Sequence, residues 1–203
     1  PLFHCPTRRR AELFAYGNGA AYKNMDKPSQ IARADYAGNG GDNEGSKGMD
    51  QVAGFDAGVL NMSNTALDAE LRSKFAKNAR SQGTIIMAGQ LRAAAIRDGT
   101  AKTYLLGERH VLFVGYEGGT LADDNEGWIA GYNNDSIRWT CLAPESDSID
   151  PPEHYQARWG SPHTSVFNMA FCDGSVRGIP LDIDPGLHQV LGNRSDSQTL
   201  AGK

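Results

Sequence analysis

The abundance of glycine and proline restricts the folds open to this chain more than any other feature of its sequence. There are 24 glycines and 9 prolines among 203 residues, and the glycine share exceeds the ~7% that is average for proteins. Residues 16–58 are dominated by Gly, Asn, Asp and Ala, and they follow neither the helical period nor the strand period. We therefore predict an ordered loop over residues 16–58, and a helical bundle is excluded.

Short apolar and β-branched runs predict a single α+β domain over residues 1–203, built mainly of antiparallel strands with long Gly/Asn-rich loops. The strongest local signal is the pair Asp173-Gly174 between two apolar runs, which predicts a hairpin with a type I′ turn. Residues 67–80 fit either a surface helix or an ordered loop. We predict a closing helix over residues 185–191, and strands over residues 84–87, 103–108, 110–114, 128–139, 166–172 and 175–183.

Charge and hydropathy exclude several classes of protein. The net charge is −4, which argues against nucleic acid as a partner, and the basic run Arg8-Arg9-Arg10 is too short for a nucleic-acid footprint. Apolar residues make up 39% and charged residues 22%, which argues against wholesale disorder. No run approaches the ~18 apolar residues of a membrane span, and no secretory signal is visible. Because the first residue is Pro1, we expect a fragment or a processed product.

The chain has three cysteines, which is too few for a disulfide framework. One bridge would leave one thiol unpaired. Cys141 and Cys172 both lie in predicted strands and are the candidate pair in an oxidising compartment. Three reduced and buried thiols agree equally well with the count.

Several motifs together resemble one bacterial family. His163 is followed by nine residues and then by Asp173-Gly174. Upstream, Cys5-Pro6, residues 34–39 (ADYAGN) and residues 96–109 (IRDGTAKTYLLGER) are similar to the early Cys-Pro, Asp-Tyr-Ala-Gly and Asp-Gly-Thr to Gly-Glu segments of that family. The chain resembles the prepilin-type processing-associated H-x9-DG domain family, which is also catalogued under a solute-binding heading and labelled as of unknown function. Ala101-Lys102 depart from the family's usual Ser-Asn.

The resemblance implies a pilin- or pseudopilin-like globular head. It also implies an apolar N-terminal helix ahead of Pro1 that attaches the protein to the inner membrane or packs in a filament core. We accordingly expect a non-enzymatic structural subunit of a pilus or secretion-type assembly, located in the periplasm or at the cell surface. Its partners would be other pilin-like subunits or envelope assembly proteins. The alternative is an extracytoplasmic solute- or carbohydrate-binding module.

The motif residues are expected to be structural. Asp173-Gly174 would turn the hairpin, and His163 would bond a neighbouring backbone group. A metal or catalytic centre of His163 with Cys172 and Asp173 is disfavoured, because residues 163 and 173 lie about 33 Å apart on one extended strand. Neither Gly-x-Ser-x-Gly nor His-Glu-x-x-His occurs, so we predict no catalytic residue and no cofactor. The remaining residues assigned to this structural motif are Asp98, Gly99 and Glu108.

Two further groups of residues are candidate binding sites. Oxygen-bearing side chains at Asp123, Asp124, Asn125 and Glu126 suit calcium, although a solvated turn fits the same residues. The aromatic residues that cluster in sequence could stack on sugar rings, although packing in the core explains them as well. These aromatic residues are Trp128, Tyr132, Trp139 and Trp159.

Overall fold

The structure is a computed structural model that describes residues 2–19, 26–42, 63, 65–66, 69, 82–86, 90–118, 121–128 and 131–197. Short strands dominate the described residues, and two α-helices accompany them. The strands are β1 (Leu13–Ala15), β2 (Gln30–Ala32), β3 (Tyr36–Asn39), β4 (Tyr104–Glu108), β5 (Ile137–Arg138), β6 (Glu145–Ser146), β7 (Gly160–Ser161), β8 (Val166–Phe171) and β9 (Val176–Pro180). The helices are α1 (Gly115–Gly118) and α2 (Pro185–Gly192), with 3-10 turns at Ala93–Ala95, Thr100–Lys102 and Tyr155–Ala157.

The main sheet has five strands in the order β5-β3-β4-β8-β9. Only the short β3–β5 pairing is parallel, and the other three pairings are antiparallel. Two smaller sheets are formed by β1 with β2 and by β6 with β7. A mainly antiparallel domain with few helices agrees with the predicted α+β class.

The core lies on the face of the main sheet that α2 covers. Strand β8 alternates strictly, and its residues Phe167, Met169 and Phe171 are buried, as expected for a strand with one face in the core. Helix α2 begins at Pro185, where the carboxylate of Asp184 accepts a hydrogen bond from the third residue of the helix, a favourable N-terminal cap. The buried cluster comprises Ala37, Tyr104, Trp159, Phe167, Met169, Phe171, Ile179 and Leu191.

The structure confirms some predicted elements and corrects others. Strands β4, β8 and β9 and helix α2 lie where they were predicted. Residues 16–58 are not wholly loop, since β2 and β3 lie within them and pair with β1 and β4. Residues 110–114 and 84–86 form turns, bends or irregular backbone instead of strands, and β5 is the only strand among the described residues of the range 128–139. Apart from residue 69, the predicted helix over 67–80 lies outside the described residues.

The hairpin at Asp173-Gly174 is confirmed, but its turn type is not. Gly174 has a φ of 86°, whereas Asp173 is not among the described residues with positive φ. The N–H of Gly174 donates to the carbonyl of Phe171, and the N–H of Phe171 donates to the carbonyl of Ser175. A type I turn followed by a left-handed glycine has this pattern, so only one position needs positive φ.

Replacing Gly174 by Val is expected to lower the free energy of unfolding by about 2 kcal/mol, because a β-branched residue is strained at positive φ. The strain is conformational, since a Cβ at this position meets no atom within 4 Å. Gly174→Asn is the control and should lose less, because Asn tolerates the left-handed region. Urea unfolding of both variants measures the difference, and equal losses would contradict the assignment.

In the part of the chain that the structure describes, there is no helix with the length and apolarity needed to traverse a bilayer.

Candidate functional site

Three side chains from distant parts of the chain meet beside the main sheet, and we call them the Cys–Glu–His cluster. The Nε2 atom of His163 lies 3.2 Å from Oε1 of Glu108 and 3.8 Å from Sγ of Cys5. Their donor atoms all lie within 4.8 Å of one another, and no other group of three His, Cys, Asp or Glu residues does so among the described residues. Cys5 and Glu108 are buried, whereas the His163 side chain is 30% exposed.

The backbone holds each member of the cluster in place. Glu108 ends β4, and its second oxygen, Oε2, accepts a 2.7 Å hydrogen bond from a backbone N–H of β8. Cys5 lies in the N-terminal segment, where its N–H donates to Oδ2 of the buried Asp35 at 2.7 Å. His163 lies between β7 and β8, and its N–H donates to the hydroxyl of Ser161 at 2.9 Å. Hydrogen bonds to β8, to Asp35 and to Ser161 therefore fix the positions of all three residues.

The partners of His163 correct a prediction. Its imidazole contacts the Glu108 carboxylate and the Cys5 thiol, and not a neighbouring backbone group. The cause is the antiparallel pairing of β4 with β8, which brings the end of β4 beside the residues that precede β8. Cys5 and Glu108 lie in the Cys-Pro and Gly-Glu segments of the sequence, but the spacing of these segments does not indicate that Cys5 and Glu108 meet His163.

The other end of the motif lies at the far end of β8. The carboxylate of Asp173 accepts hydrogen bonds from the N–H and the hydroxyl of Ser175, at 2.9 and 2.7 Å. The Cys172 thiol contacts the carbonyl of Tyr104 at 3.7 Å. Neither residue approaches His163, so Asp173 shapes the turn and the strand separates the two halves of the motif.

Asp98 fastens the C-terminal part of the chain, and Gly99 shapes the turn that precedes β4. The Asp98 carboxylate accepts hydrogen bonds from the N–H groups of Asp196 and Ser197, at 2.9 and 3.1 Å. Gly99 has a φ of 100° and its carbonyl accepts from the Thr103 hydroxyl at 3.0 Å. The Asp98 contacts span 98 and 99 positions of the sequence, and the Gly99 contact is local.

The Cys5 thiol is not arranged as an activated nucleophile. Burial raises its pKa, and this outweighs the N–H groups of Thr7 and Arg8, which act in the opposite direction. In a catalytic triad, one ring nitrogen of the histidine contacts the nucleophile and the other contacts the carboxylate. Here the same nitrogen, Nε2 of His163, faces both the thiol and the carboxylate of Glu108. All three cysteines of the described chain are free thiols, so the candidate pair Cys141 and Cys172 is not bridged.

The acidic loop is buried and paired with arginines, which corrects the calcium prediction. Asp123 contacts Arg138 at 2.7 Å and Arg109 at 3.5 Å. Asp124 contacts Arg9 at 2.5 Å and also pairs with Arg109. Burial raises the pKa of the Asp123 carboxyl. Burial acts in the same direction on Asp124, but the adjacent Arg109 and Arg9 outweigh it and hold the pKa of Asp124 below its ordinary value. These carboxylates neutralise guanidinium groups and do not converge on a cation.

The remaining two residues of that loop point to the same conclusion. The Glu126 carboxylate accepts from the side-chain amide of Asn133. The carbonyl of Asn125 accepts a 3.1 Å hydrogen bond from the N–H of Gly17. Within the described chain, these contacts hold the loop against its surroundings and form no calcium cage.

The basic run of the N-terminus is also buried, in contrast to its appearance in the sequence. Arg8 lies 2.7 Å from Asp147 and 3.4 Å from Asp35. Arg9 lies 2.8 Å from Asp35 and 2.5 Å from Asp124. Both guanidinium groups are almost fully excluded from solvent, and only the third arginine of the run is exposed. The N-terminal segment is therefore tied to the body of the domain by buried ion pairs.

The four predicted aromatic residues divide into two pairs. Trp139 and Trp159 are fully buried in two core clusters, so neither can stack on a ligand, and this part of the prediction is wrong. Trp128 is 49% exposed and stacks on Phe3, with ring centroids 5.0 Å apart and planes 12° apart. Tyr132 is half-buried. An exposed aromatic surface remains, and it is smaller than predicted.

Trp128 and Phe3 border an apolar groove of about 530 Å³. Tyr36 lines this groove and is the register partner of Glu108, so the groove adjoins the Cys–Glu–His cluster. Its lining residues are mostly apolar and include Leu2, Ala37, Ile85, Leu106, Tyr132 and Ile137.

Comparison with known proteins identifies one family. The model of a family described as "Protein of unknown function (DUF1559)", with the short name SBP_bac_10, matches residues 1–186. No curated protein and no solved structure matches the chain significantly.

Proposed function

Since the chain belongs to the DUF1559 family of unknown function, we propose that it is a non-enzymatic structural subunit of the cell envelope. It would be a pseudopilin-like component of a pilus or secretion-type assembly, in the periplasm or at the cell surface. The family's description leaves this role open. The proposal combines the resemblance of the motifs with the contacts that the N-terminal segment, residues 2–10, makes in the structure.

The attachment of the N-terminal segment carries the proposal. Arg8 and Arg9 form buried ion pairs with Asp35, Asp124 and Asp147, three carboxylates widely separated in sequence. The N–H of Asp35 also donates to the carbonyl of the third residue at 2.8 Å. A pilin-like subunit must fix its globular head relative to its N-terminal helix. A segment held by buried charge pairs supplies such a connection.

The proposed partners follow from that arrangement. An apolar helix ahead of residue 1, as the resemblance implies, would contact the membrane or the helices of other pilin-like subunits. The body of the domain would face envelope assembly proteins. Nucleic acid is not proposed as a partner, given the net charge of −4.

Fractionation of the full gene product, expressed from its own start codon, tests the proposal. We expect the product to sediment with the inner membrane and to form cross-linked multimers, whereas the exported 203-residue chain stays in the soluble fraction. Exchanging the apolar helix that the resemblance implies for a cleavable secretion signal is the matched control and should abolish both properties. A full gene product recovered as a soluble monomer would contradict the role.

The exposed aromatic surface favours a second candidate, a carbohydrate-binding module. Trp128 and Phe3 stack with nearly parallel rings at the edge of the groove. Flat aromatic faces bind the apolar faces of sugar rings, and the hydroxyls of Tyr36 and Tyr132 could donate hydrogen bonds. Only Trp128 and Tyr132 of the four predicted aromatic residues remain in this candidate site.

Trp128→Ala is expected to abolish saturable binding of oligosaccharides if the second candidate is right. Because half of the Trp128 side chain is exposed, the fold should survive the change. Ile149→Ala is the control, since Ile149 is exposed and does not line the groove. A glycan array followed by calorimetry measures binding. Binding that persists without Trp128, or no binding by the parent chain, would exclude the aromatic surface as a carbohydrate site.

A further inference from the structure

A single ring nitrogen of His163 serves both contacts of the Cys–Glu–His cluster. Nε2 of a neutral imidazole either carries a proton or offers a lone pair. If it donates to Oε1 of Glu108 at 3.2 Å, it cannot also accept from the thiol of Cys5 at 3.8 Å. If it accepts from the thiol, it donates nothing to Oε1. A sulfur, an oxygen and a nitrogen, each able to act as a metal ligand, therefore face one another, and one ring nitrogen serves both contacts.

We propose that Cys5, Glu108 and His163 bind a divalent transition metal ion of the Zn²⁺ class. In tetrahedral zinc sites the bonds are about 2.0 Å to nitrogen or oxygen and about 2.3 Å to sulfur. Ligand atoms are then about 3.3 Å apart for the N···O pair and about 3.5 Å apart for the S···N pair. The observed separations are 3.2 Å and 3.8 Å. The third pair, Sγ of Cys5 and the carboxylate of Glu108, lies within 4.8 Å, so the side chains would have to close by no more than about 1.3 Å around the ion.

The surroundings orient the ligand atoms for such an ion. Oε2 of Glu108 is occupied by the N–H of Asn168, which leaves Oε1 to bind the metal. Outer contacts of this kind fix ligand geometry in known metal sites.

The donor set favours zinc over calcium or magnesium, because thiolate and imidazole ligands suit borderline transition metals and not hard cations. Three protein ligands leave a fourth position for water, as in zinc sites that are not closed. The side chain of His163 is 30% exposed, which gives the ion a path from solvent. Binding forms a metal–sulfur bond and releases the thiol proton of Cys5 to solvent, so affinity should rise with pH.

This inference is independent of the proposed envelope role. A metal ion here would join the N-terminal segment to β4 and to the residues before β8, whatever the domain assembles with. Failure of metal binding would leave the fractionation result untouched, and a soluble gene product would leave metal binding untouched.

Titration of the reduced, chelator-treated chain with Co²⁺, without a polyhistidine tag, tests the site. We expect one equivalent to bind, with a sulfur-to-cobalt charge-transfer band that Zn²⁺ displaces. Cys5→Ser should lose the band. His163→Ala should weaken binding by more than about 100-fold, since loss of a ligand exceeds the effect of losing an outer-shell contact. Because His163 is partly exposed, its variant should remain folded, which circular dichroism checks.

Cys172→Ser is the matched control, because its half-buried thiol contacts only the carbonyl of Tyr104 among the described atoms. It should bind Co²⁺ as the parent does. The site is disproved if the parent shows no charge-transfer band, if the band survives in Cys5→Ser, or if folded His163→Ala binds as tightly as the parent.

Discussion

Asp124→Asn is expected to lower the free energy of unfolding by about 3–5 kcal/mol, because removing one partner of a buried ion pair leaves an uncompensated charge. The Asp124 carboxylate is almost fully buried and pairs with both Arg9 and Arg109. Asparagine keeps the shape, but it removes the negative charge and turns an amide N–H₂ toward two donors. Urea unfolding of the variant and the parent measures the difference.

Glu145→Gln is the control for that experiment. Its carboxylate lies 3.9 Å from Arg158 and is 47% exposed, so removing its charge should cost no more than about 1 kcal/mol. Similar losses in the two variants would show that burial of the Asp124 pairs has no energetic weight. The expected contrast would also support the attachment of the N-terminal segment, because Arg9 is part of it.

The arginine network shows what a single sequence does not reveal. Arg8 and Arg9 look like surface residues, since arginine is seldom fully buried unless paired. Their partners lie 25 to 139 residues away, and no local pattern connects them. The acidic loop was predicted as a cation site for the same reason. Its carboxylates are neutralised by guanidinium groups that lie elsewhere in the sequence, so the loop alone does not show that its charges are already paired.

Local signals predicted the parts of the fold that depend on neighbouring residues. The pair Asp173-Gly174 located the β8–β9 hairpin, and the Pro185 segment located α2. Strands β2 and β3 were missed because they are only three and four residues long, and each contains a single strand-favouring residue, Ile31 or Tyr36. They form because Ile31 pairs with Phe14 and Ala37 pairs with Gly107 across the sheets.

The candidate site was predictable only in part. Cys5, Glu108 and His163 all lie in motifs of the sequence, but the candidate centre weighed from the sequence grouped His163 with Cys172 and Asp173. Those two residues are close in sequence and lie at the opposite end of β8. Antiparallel pairing of β4 with β8 selects Glu108 as the neighbour of His163, and that pairing is a property of the folded sheet.

A second buried group without a local signal is His188 in α2. Its ring lies 5.7 Å from that of Tyr104 and 5.9 Å from that of Phe167. Neither ring nitrogen has a hydrogen-bond partner in the described part of the chain, and the side chain is fully buried. Burial lowers the pKa of His188 to about 3, so the folded chain keeps this imidazole neutral.

The chain is expected to lose stability in acid through His188. The pKa of histidine in an unfolded chain is about 6.5, so below that pH the unfolded state binds a proton that the folded state refuses. Stability due to the neutral imidazole is therefore complete above about pH 6.5 and falls as the pH drops toward 3. At pH 4 the loss from this one group is about 3 kcal/mol relative to pH 7.

Comparison of His188→Leu with the parent isolates this contribution, because the carboxylates titrate in both chains. Urea unfolding at pH 7, 5.5 and 4 should show a pH slope that is smaller for His188→Leu, with the difference reaching about 3 kcal/mol at pH 4. Phe167→Leu is the control for lost packing, since Phe167 contacts the same ring but carries no proton. Its stability should be lower by a constant amount at all three pH values. Parallel curves for the parent and His188→Leu would show that the buried imidazole does not set the acid sensitivity.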